Sequence, residues 1–344
     1  MLYVTTRDNT DAYTPYRVLR EERGQDGGLY VPFRLPHMNY AEILKFQEKS
    51  FNTSIADILN LLFNTRISPW DVDFAIGRYA VRLVPMSQKI IIGECWHNPN
   101  WEFSCIVKSL SLLLQGNRES KEYPSEWTEI AVRIAVLFGI FGELMRSGIL
   151  EEGKTTDISV VSGNFSAPMG AWYARAMGLP VGNIICCCNE NNAIWELFRY
   201  GHLRTDGVAE KTALPEADVV IPVGLERLIY SVGGCREVGR YMDSCRTGST
   251  YHVEDRLLED LQRGMYVTVS SQSRIAATVI NLYKTDDCIL SPYAALAYSG
   301  LQDFRAGTGS WGSALILSDK SPVCDGTFVS ENLGVPETEI LKYL

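Results

Sequence analysis

The chain has 344 residues, 46% hydrophobic and 21% charged, which is ordinary for a globular protein of one large α/β domain or two smaller ones. Its net charge of −9 opposes binding to nucleic acid or to an anionic membrane surface. No run reaches the roughly 18 uninterrupted apolar residues that a membrane span requires. The opening MLYVTTRDNTD lacks the basic start and apolar run of a secretory signal, so a cytoplasmic protein is expected.

Leu2–Thr5 is a short β-rich start. After the polar stretch Arg20–Gln25 comes DGGLYVP (Asp26–Pro32), whose two glycines permit backbone conformations closed to other residues. Between Tyr40 and Phe63 the spacing is helical, through Ile43, Leu44 and Phe46 and then Ile55, Ile58, Leu59 and Leu62. Asn52-Thr53 is the expected cap between the two halves of that stretch. Ser68-Pro69-Trp70-Asp71 has the form of a helix start, a cap followed by proline in the first turn. Val81–Leu83 and Lys89–Ile92 read as strands, with Pro85 at a boundary, and from Phe103 the spacing of Val107, Leu110, Leu113 and Leu114 is helical.

Gln115–Tyr123 (QGNRESKEY) is charged and poor in apolar residues, a surface loop and the best internal boundary in the chain. Trp127–Leu150 is a long apolar helix whose stretch Ile130–Leu144 is interrupted only by Arg133 and Glu143. An α/β unit follows. Asp157–Val161 is strand-like, Ser162–Pro168 (SGNFSAP) is a turn, and Met169–Met177 is helical until Gly178-Leu179-Pro180 stops it. Val181–Cys188 predicts another strand, Ala193–Tyr200 a short helix and Asp218–Pro222 one more strand. This alternation predicts a mostly parallel sheet with helices on both faces.

The nine cysteines, at 95, 105, 186, 187, 188, 235, 245, 288 and 324, include no CxxC pair. Neighbouring strand residues point to opposite faces, so Cys186, Cys187 and Cys188 cannot converge on one metal. Reduced core cysteines and no metal site are expected. His37, His202 and His252 are scattered without ligand spacing. The aromatic group Trp96, Trp101 and Phe103 suits a pocket or partner surface as well as a core.

Ser162-Gly163-Asn164-Phe165-Ser166 lies between an apolar strand and a helix. Unpaired N–H groups and a partial positive charge at a helix start allow such a turn to cradle a phosphate. Gly163 allows close backbone approach, and Ser162, Asn164 and Ser166 add side-chain donors; the same residues also suit a plain capped turn.

Several segments resemble threonine synthases, members of the tryptophan-synthase-β-like (fold type II) pyridoxal-phosphate enzymes. SGNFS is similar to their TGNFG phosphate loop and continues through GAWYARAMGLP to the same Gly-Leu-Pro stop. DGGLYVP is nearly verbatim, and YVTTRD (Tyr3–Asp8) resembles the family's Ser-Thr-Arg opening. CCNENNAIWEL (Cys187–Leu197) resembles its Asn-Glu-Asn segment, Arg199–Asp206 its Lys-Thr-Gly turn region, and GLERLIY (Gly224–Tyr230) its Asn-Phe-Glu-Arg-Leu helix. Ile289–Ala294 and Leu315–Pro322 are similar to its final two sheet segments. The resemblance implies a single large α/β domain over 1–344, like the large domain of those enzymes, with an N-terminal threonine-synthase-type segment at 1–80. It implies a cofactor cradle of Ser162, Gly163, Asn164, Phe165 and Ser166, with Asp319 near the pyridine nitrogen.

The sequence departs from that family at three points. ECWHNPNWEF (Glu94–Phe103) resembles Glu-Leu-Phe-His-Gly-Pro-Thr-Leu-Ala-Phe, but the Lys-Asp that should follow, with the Schiff-base lysine, is Ser104-Cys105. A hydroxyl cannot form an imine. Lys108 stands one turn on, displaced by about 5.4 Å, and also reads as a surface lysine. His97, inside the resembling stretch, reads as a relic or a packed side chain. Next, nothing resembles the small substrate-binding domain, whose place is marked by 115–123. Last, Thr-Ala-His-Pro is replaced by Asp319-Lys320-Ser321-Pro322, and the last glycine of the loop by Ser166; Asp319 suits a pyridine partner or a solvated loop carboxylate.

The expected protein keeps the scaffold, has no catalytic lysine and needs no cofactor. It binds a phosphorylated or anionic small molecule, or serves as a homo-oligomer or partner subunit, without nucleic acid or membrane. The alternative is a lyase or γ-replacement enzyme acting on an amino acid or phosphorylated homoserine, with pyridoxal phosphate held non-covalently or through Lys108.

Overall fold

A computed structural model describes residues 1–78, 81–96, 102–116 and 124–341. His97, Trp101 and positions 117–123 of the expected boundary loop lie outside the described residues. Tyr3–Thr5 pairs antiparallel with Tyr30–Pro32, and both strands are largely buried. The DGG turn closes that pair. Gly27 takes φ +76°, while Asp26 accepts hydrogen bonds from Gly28 N at 3.0 Å and Thr5 Oγ1 at 2.6 Å.

Helix α1 (Phe51–Phe63) buries Ile55, Ile58, Leu59 and Leu62. Its cap is Ser50, which accepts from Thr53 N, and not Asn52-Thr53. Asn52 is turned away to donate to Asp73 Oδ1 at 2.6 Å and Gly77 O at 2.8 Å, a tertiary demand that local spacing does not reveal. Helix α2 (Pro69–Ile76) starts in a capping box between Ser68 and Asp71, as its motif predicts.

The main sheet uses β1 (Arg82–Pro85), β2 (Ile90–Glu94), β3 (Thr156–Val161), β4 (Val181–Cys188), β5 (Tyr266–Val269) and β6 (Ala314–Ser318). Their spatial order is β1-β2-β6-β3-β4-β5, parallel throughout except for the edge pair β1 and β2. Between β2 and β3 lie α3 (Phe103–Gln115) and α4 (Glu126–Arg146), and α5 (Ser166–Ala176) follows β3. Then come α6 (Leu225–Thr247), α7 (Gln272–Asp286) and α8 (Pro292–Thr308). One face of the sheet packs Ile158, Val160, Cys186 and Cys188 against α4 and α5. The other packs Ile185, Cys187 and Ile316 against α7 and α8. Helices thus cover both faces, and the three adjacent cysteines alternate sides as strand geometry demands. No described helix is long and apolar enough to cross a membrane.

Two expected strands are absent. Asp218–Pro222 lies in an irregular connection, where Asp218 accepts from Asn189 Nδ2, Thr212 N and Thr212 Oγ1, each at 2.7 Å. Those polar demands hold the segment out of any ladder. Ile289–Ala294 runs from a loop into α8, whose cap Ser291 accepts from Ala294 N. The fifth strand, β5 (YVTV), pairs instead with β4.

Candidate functional site

Strands β3 and β6 are parallel neighbours that send the chain to opposite faces. After β3 the chain enters α5, and after β6 it enters helix Gly326–Leu333, whose Val329 packs on the α7 side. Such a divergence opens a crevice beyond the carboxyl ends of the strands. A cleft of about 620 Å³ lies there. Ser104 and Lys108 line it, as do Ser162, Gly163, Asn164, Ser166 and Asp319, so the fold gathers residues from three distant stretches.

In the turn, Phe165 N donates to Ser162 O at 2.7 Å and Phe165 adopts φ +74°, a left-handed conformation rare for a bulky residue. Its ring is fully buried in the core, which holds that conformation, and Phe165, unlike the other four residues of the turn, does not line the cleft. Gly163 takes φ +42°. Asn164 Oδ1 accepts from Ser166 N at 2.9 Å, closing the first turn of α5. A Cβ on Gly224 would lie 2.9 Å from Asn164 O, so only glycine lets α6 start this close.

Helix α4 supplies the charges. A Cβ on Gly170 would lie 2.8 Å from Arg133 Cβ, so glycine lets α5 pack tightly on α4 at this level. Arg133, only 8% exposed, donates to Ser166 Oγ at 3.1 Å, to Asp319 Oδ2 at 2.8 Å and to Glu129 Oε1 at 3.0 Å. Its guanidinium also stacks 4.3 Å from the centre of the Phe103 ring. Burial works against its charge, but Asp319 and Glu129 outweigh that and hold its pKa above the ordinary value. Glu129 in turn accepts from Ser166 Oγ and, at 3.1 Å, from Asn164 Nδ2. Two side-chain donors of the turn, Asn164 and Ser166, are therefore committed to a carboxylate of the protein itself.

On the opposite wall, Phe103 N donates to Asp319 O at 2.7 Å, and Glu102 bridges to Lys320, tying the start of α3 to the end of β6. Ser104 Oγ donates to Glu102 Oε2 at 3.0 Å. Lys108 is exposed on the next turn and makes no hydrogen bond or ion pair among the described residues. Lys320 pairs with Glu216 at 2.6 Å and Glu102 at 3.7 Å and sits over the Tyr293 ring. Burial opposes its charge, yet Glu216 raises its pKa above the ordinary lysine value, the reverse of a nucleophilic amine.

Pyridoxal phosphate, which the resemblance implies, meets three obstacles in this arrangement. The position that the resemblance gives its aldehyde partner carries the hydroxyl of Ser104. Its phosphate would meet the Glu129 carboxylate at the turn. Asp319, the candidate ring partner, already pairs with Arg133. The residues present do not fit the cofactor as they stand.

Glu129, Arg133, Glu216 and Lys320 were not among the site residues expected from sequence. One signal did exist: Arg133 interrupts an otherwise apolar helix, and a buried charge requires a partner. For Glu129 and Glu216 no local pattern points to the cleft.

The family model for the threonine synthase N terminus matches residues 2–78. Human threonine synthase-like 1 is 27% identical over 177 residues, covering 50% of this chain and 23% of that protein. Threonine synthase of Corynebacterium glutamicum is 29% identical over 194 residues, covering 54% of this chain and 40% of that one. The matches thus span less than half the length of these curated relatives. Among solved structures, the PLP-bound threonine synthase from Brucella melitensis superposes with a TM-score of 0.85 at 16% identity, covering 97% of this chain and 92% of that one. Yeast threonine synthase superposes with a TM-score of 0.82 at 15% identity, covering 97% and 90%. The chain thus carries a segment that matches the threonine synthase N terminus, and its fold is like that of solved threonine synthases.

Proposed function

We propose that this threonine-synthase-like chain has lost lysine-dependent pyridoxal-phosphate chemistry and acts as a small-molecule-binding or partner protein on the retained scaffold. The observation that carries this reading is Ser104, whose hydroxyl lines the cleft at the start of α3 and donates to Glu102 where an amine is required. A hydroxyl cannot condense with an aldehyde. The nearby amine of Lys320 is held charged by Glu216, so it is a poor substitute. A phosphorylated or anionic ligand, the class suggested by the SGNFS turn, enters only by displacing Glu129.

One observation favours a second reading, a lyase or γ-replacement enzyme. Lys108 lines the same cleft as the turn and is free of partners among the described residues. Against it stands the one-turn displacement of about 5.4 Å, beyond the tolerance of roughly an ångström in reacting geometry. Treating the protein with pyridoxal phosphate, reducing with borohydride and mapping the labelled peptides separates the two. The binding-protein reading expects no stoichiometric label on a cleft lysine. Stoichiometric pyridoxyl label on Lys108 or Lys320 overturns it, and label on Lys108 together with amino-acid turnover that is lost in Lys108→Met supports the second reading.

A further inference from the structure

The mismatch between the phosphate-type turn and the groups that surround it has its own explanation. We propose that Glu129 is a built-in anion, its carboxylate standing at the start of α5 where a phosphate would bind, so that the cleft rejects phosphorylated ligands while Glu129 is in place. This deepens the reading above by naming what the cleft excludes and the residue responsible.

Both oxygens of the carboxylate are engaged as those of an anionic ligand would be. Oε1 accepts from Ser166 Oγ and from Arg133, and Oε2 accepts from Asn164 Nδ2 at 3.1 Å. The carboxylate therefore meets two side-chain donors, Asn164 Nδ2 and Ser166 Oγ, at the positive end of an 11-residue helix. Asn164 is further committed, because its Oδ1 takes the backbone N–H of Ser166. Glu129 reaches this place because it lies one turn before Arg133 on α4, and the close approach at Gly170 lays that turn across the start of α5.

Charge completes the argument. A phosphate added here would join Glu129 and Asp319 around the single guanidinium of Arg133; of the other two cations lining the cleft, Lys320 is already paired with Glu216 and Glu102, and Lys108 stands exposed on α3. Asp319 Oδ1 is buried without a hydrogen-bond partner among the described residues, so that carboxylate is already short of positive neighbours. At a few ångströms and an effective dielectric of about 20, one extra like-charge contact lowers affinity by about a hundredfold or more.

The test is equilibrium dialysis against inorganic phosphate, using the full chain as wild type, Glu129→Gln and Glu129→Ala. Inorganic phosphate carries no aldehyde, so the outcome does not depend on imine formation at any lysine, and failure here is distinguishable from failure of the lysine-mapping experiment. Wild type is expected to show no saturable binding up to ~10 mM, whereas Glu129→Ala gains at least about tenfold in affinity and Glu129→Gln, which keeps the shape, gains less. Adding Asn164→Asp to Glu129→Ala restores a carboxylate at the turn and is expected to abolish the gain. Saturable binding by wild type as tight as by Glu129→Ala overturns the proposal. So does a folded Glu129→Ala that binds no better than wild type, or binding that survives the added Asn164→Asp. If Glu129→Ala does not fold, as read by its melting transition, the near-isosteric Glu129→Gln and the wild-type measurement decide on the same criteria.

Discussion

Helix α4 carries two clusters of buried charge one turn apart, and their surroundings give them different work. At Glu126, Arg227 Nη1 donates at 2.7 Å while its Nε donates to Tyr30 O at 3.1 Å, joining α4, α6 and the N-terminal strand pair. Arg227 is fully buried, and burial raises the pKa of Glu126 although Arg227 pulls it back. At Glu129 and Arg133 the same chemistry opens onto a cleft, with Asp319 and Ser166 as further partners. In the first cluster the guanidinium of Arg227 is fully buried and fastens the N-terminal segment, with Glu126 half-buried beside it. The second presents its partners at a surface that a ligand can reach, so one of them can be exchanged. Buried pairs contribute little net stability, yet removing one partner is costly because it strands the other.

Breaking each cluster in turn gives the strongest test of that difference. Arg227→Leu strands a half-buried Glu126 and the buried Tyr30 carbonyl and is expected to cost about 3–5 kcal/mol. Arg133→Leu leaves Glu129 and Asp319 where water can enter from the cleft, so a smaller loss of about 2–3 kcal/mol is expected. Urea denaturation of both variants measures the gap, and equal losses would show that the cleft cluster is as closed as the other. Gly170→Ala probes the packing that places the second cluster. Its added Cβ meets Arg133 Cβ at 2.8 Å, and a loss of about 1–3 kcal/mol is expected from overpacking. A neutral Gly170→Ala in the same denaturation assay would mean that α4 and α5 part freely.

Asp325 sharpens the comparison from the other side, as a half-buried carboxylate with no cation of its own. Burial pushes its pKa up to about 6, only partly offset by Lys320, which already serves Glu216 and Glu102. Between the ordinary carboxylate pKa and about 6 the folded state holds a proton that the unfolded chain has released. Stability therefore falls as pH rises through that window, and the penalty is complete at neutral pH. Asp325→Asn is expected to gain about 1 kcal/mol at pH 7 after allowance for its partial exposure, and to flatten the dependence over that window. Melting curves across that range check it, and an unchanged slope would show that Asp325 is adequately solvated. No cap is lost, because Asp325 makes no side-chain cap bond.

The resemblance in the N-terminal segment was legible because its residues act locally: the DGG turn closes on its own Asp26, and Ser68 and Asp71 cap α2 from three residues apart. The SGNFS turn was equally readable as a strand-to-helix junction. What occupies it was not, since Glu129 lies 35 residues before Asn164 in the chain.

By itself the sequence determined the mostly parallel α/β architecture and the alternation of Cys186, Cys187 and Cys188 across the sheet. These follow from residue identity and from periods of two or of three to four residues. Only the tertiary structure decided that Glu129 reaches the turn, that Asp218–Pro222 stays outside the sheet, and that Arg133 bonds both Ser166 and, 186 residues away in the chain, Asp319. A buried charge must find a partner, but its own neighbourhood in the sequence does not say which one, because the choice is made by whichever elements the packed core brings within hydrogen-bond reach.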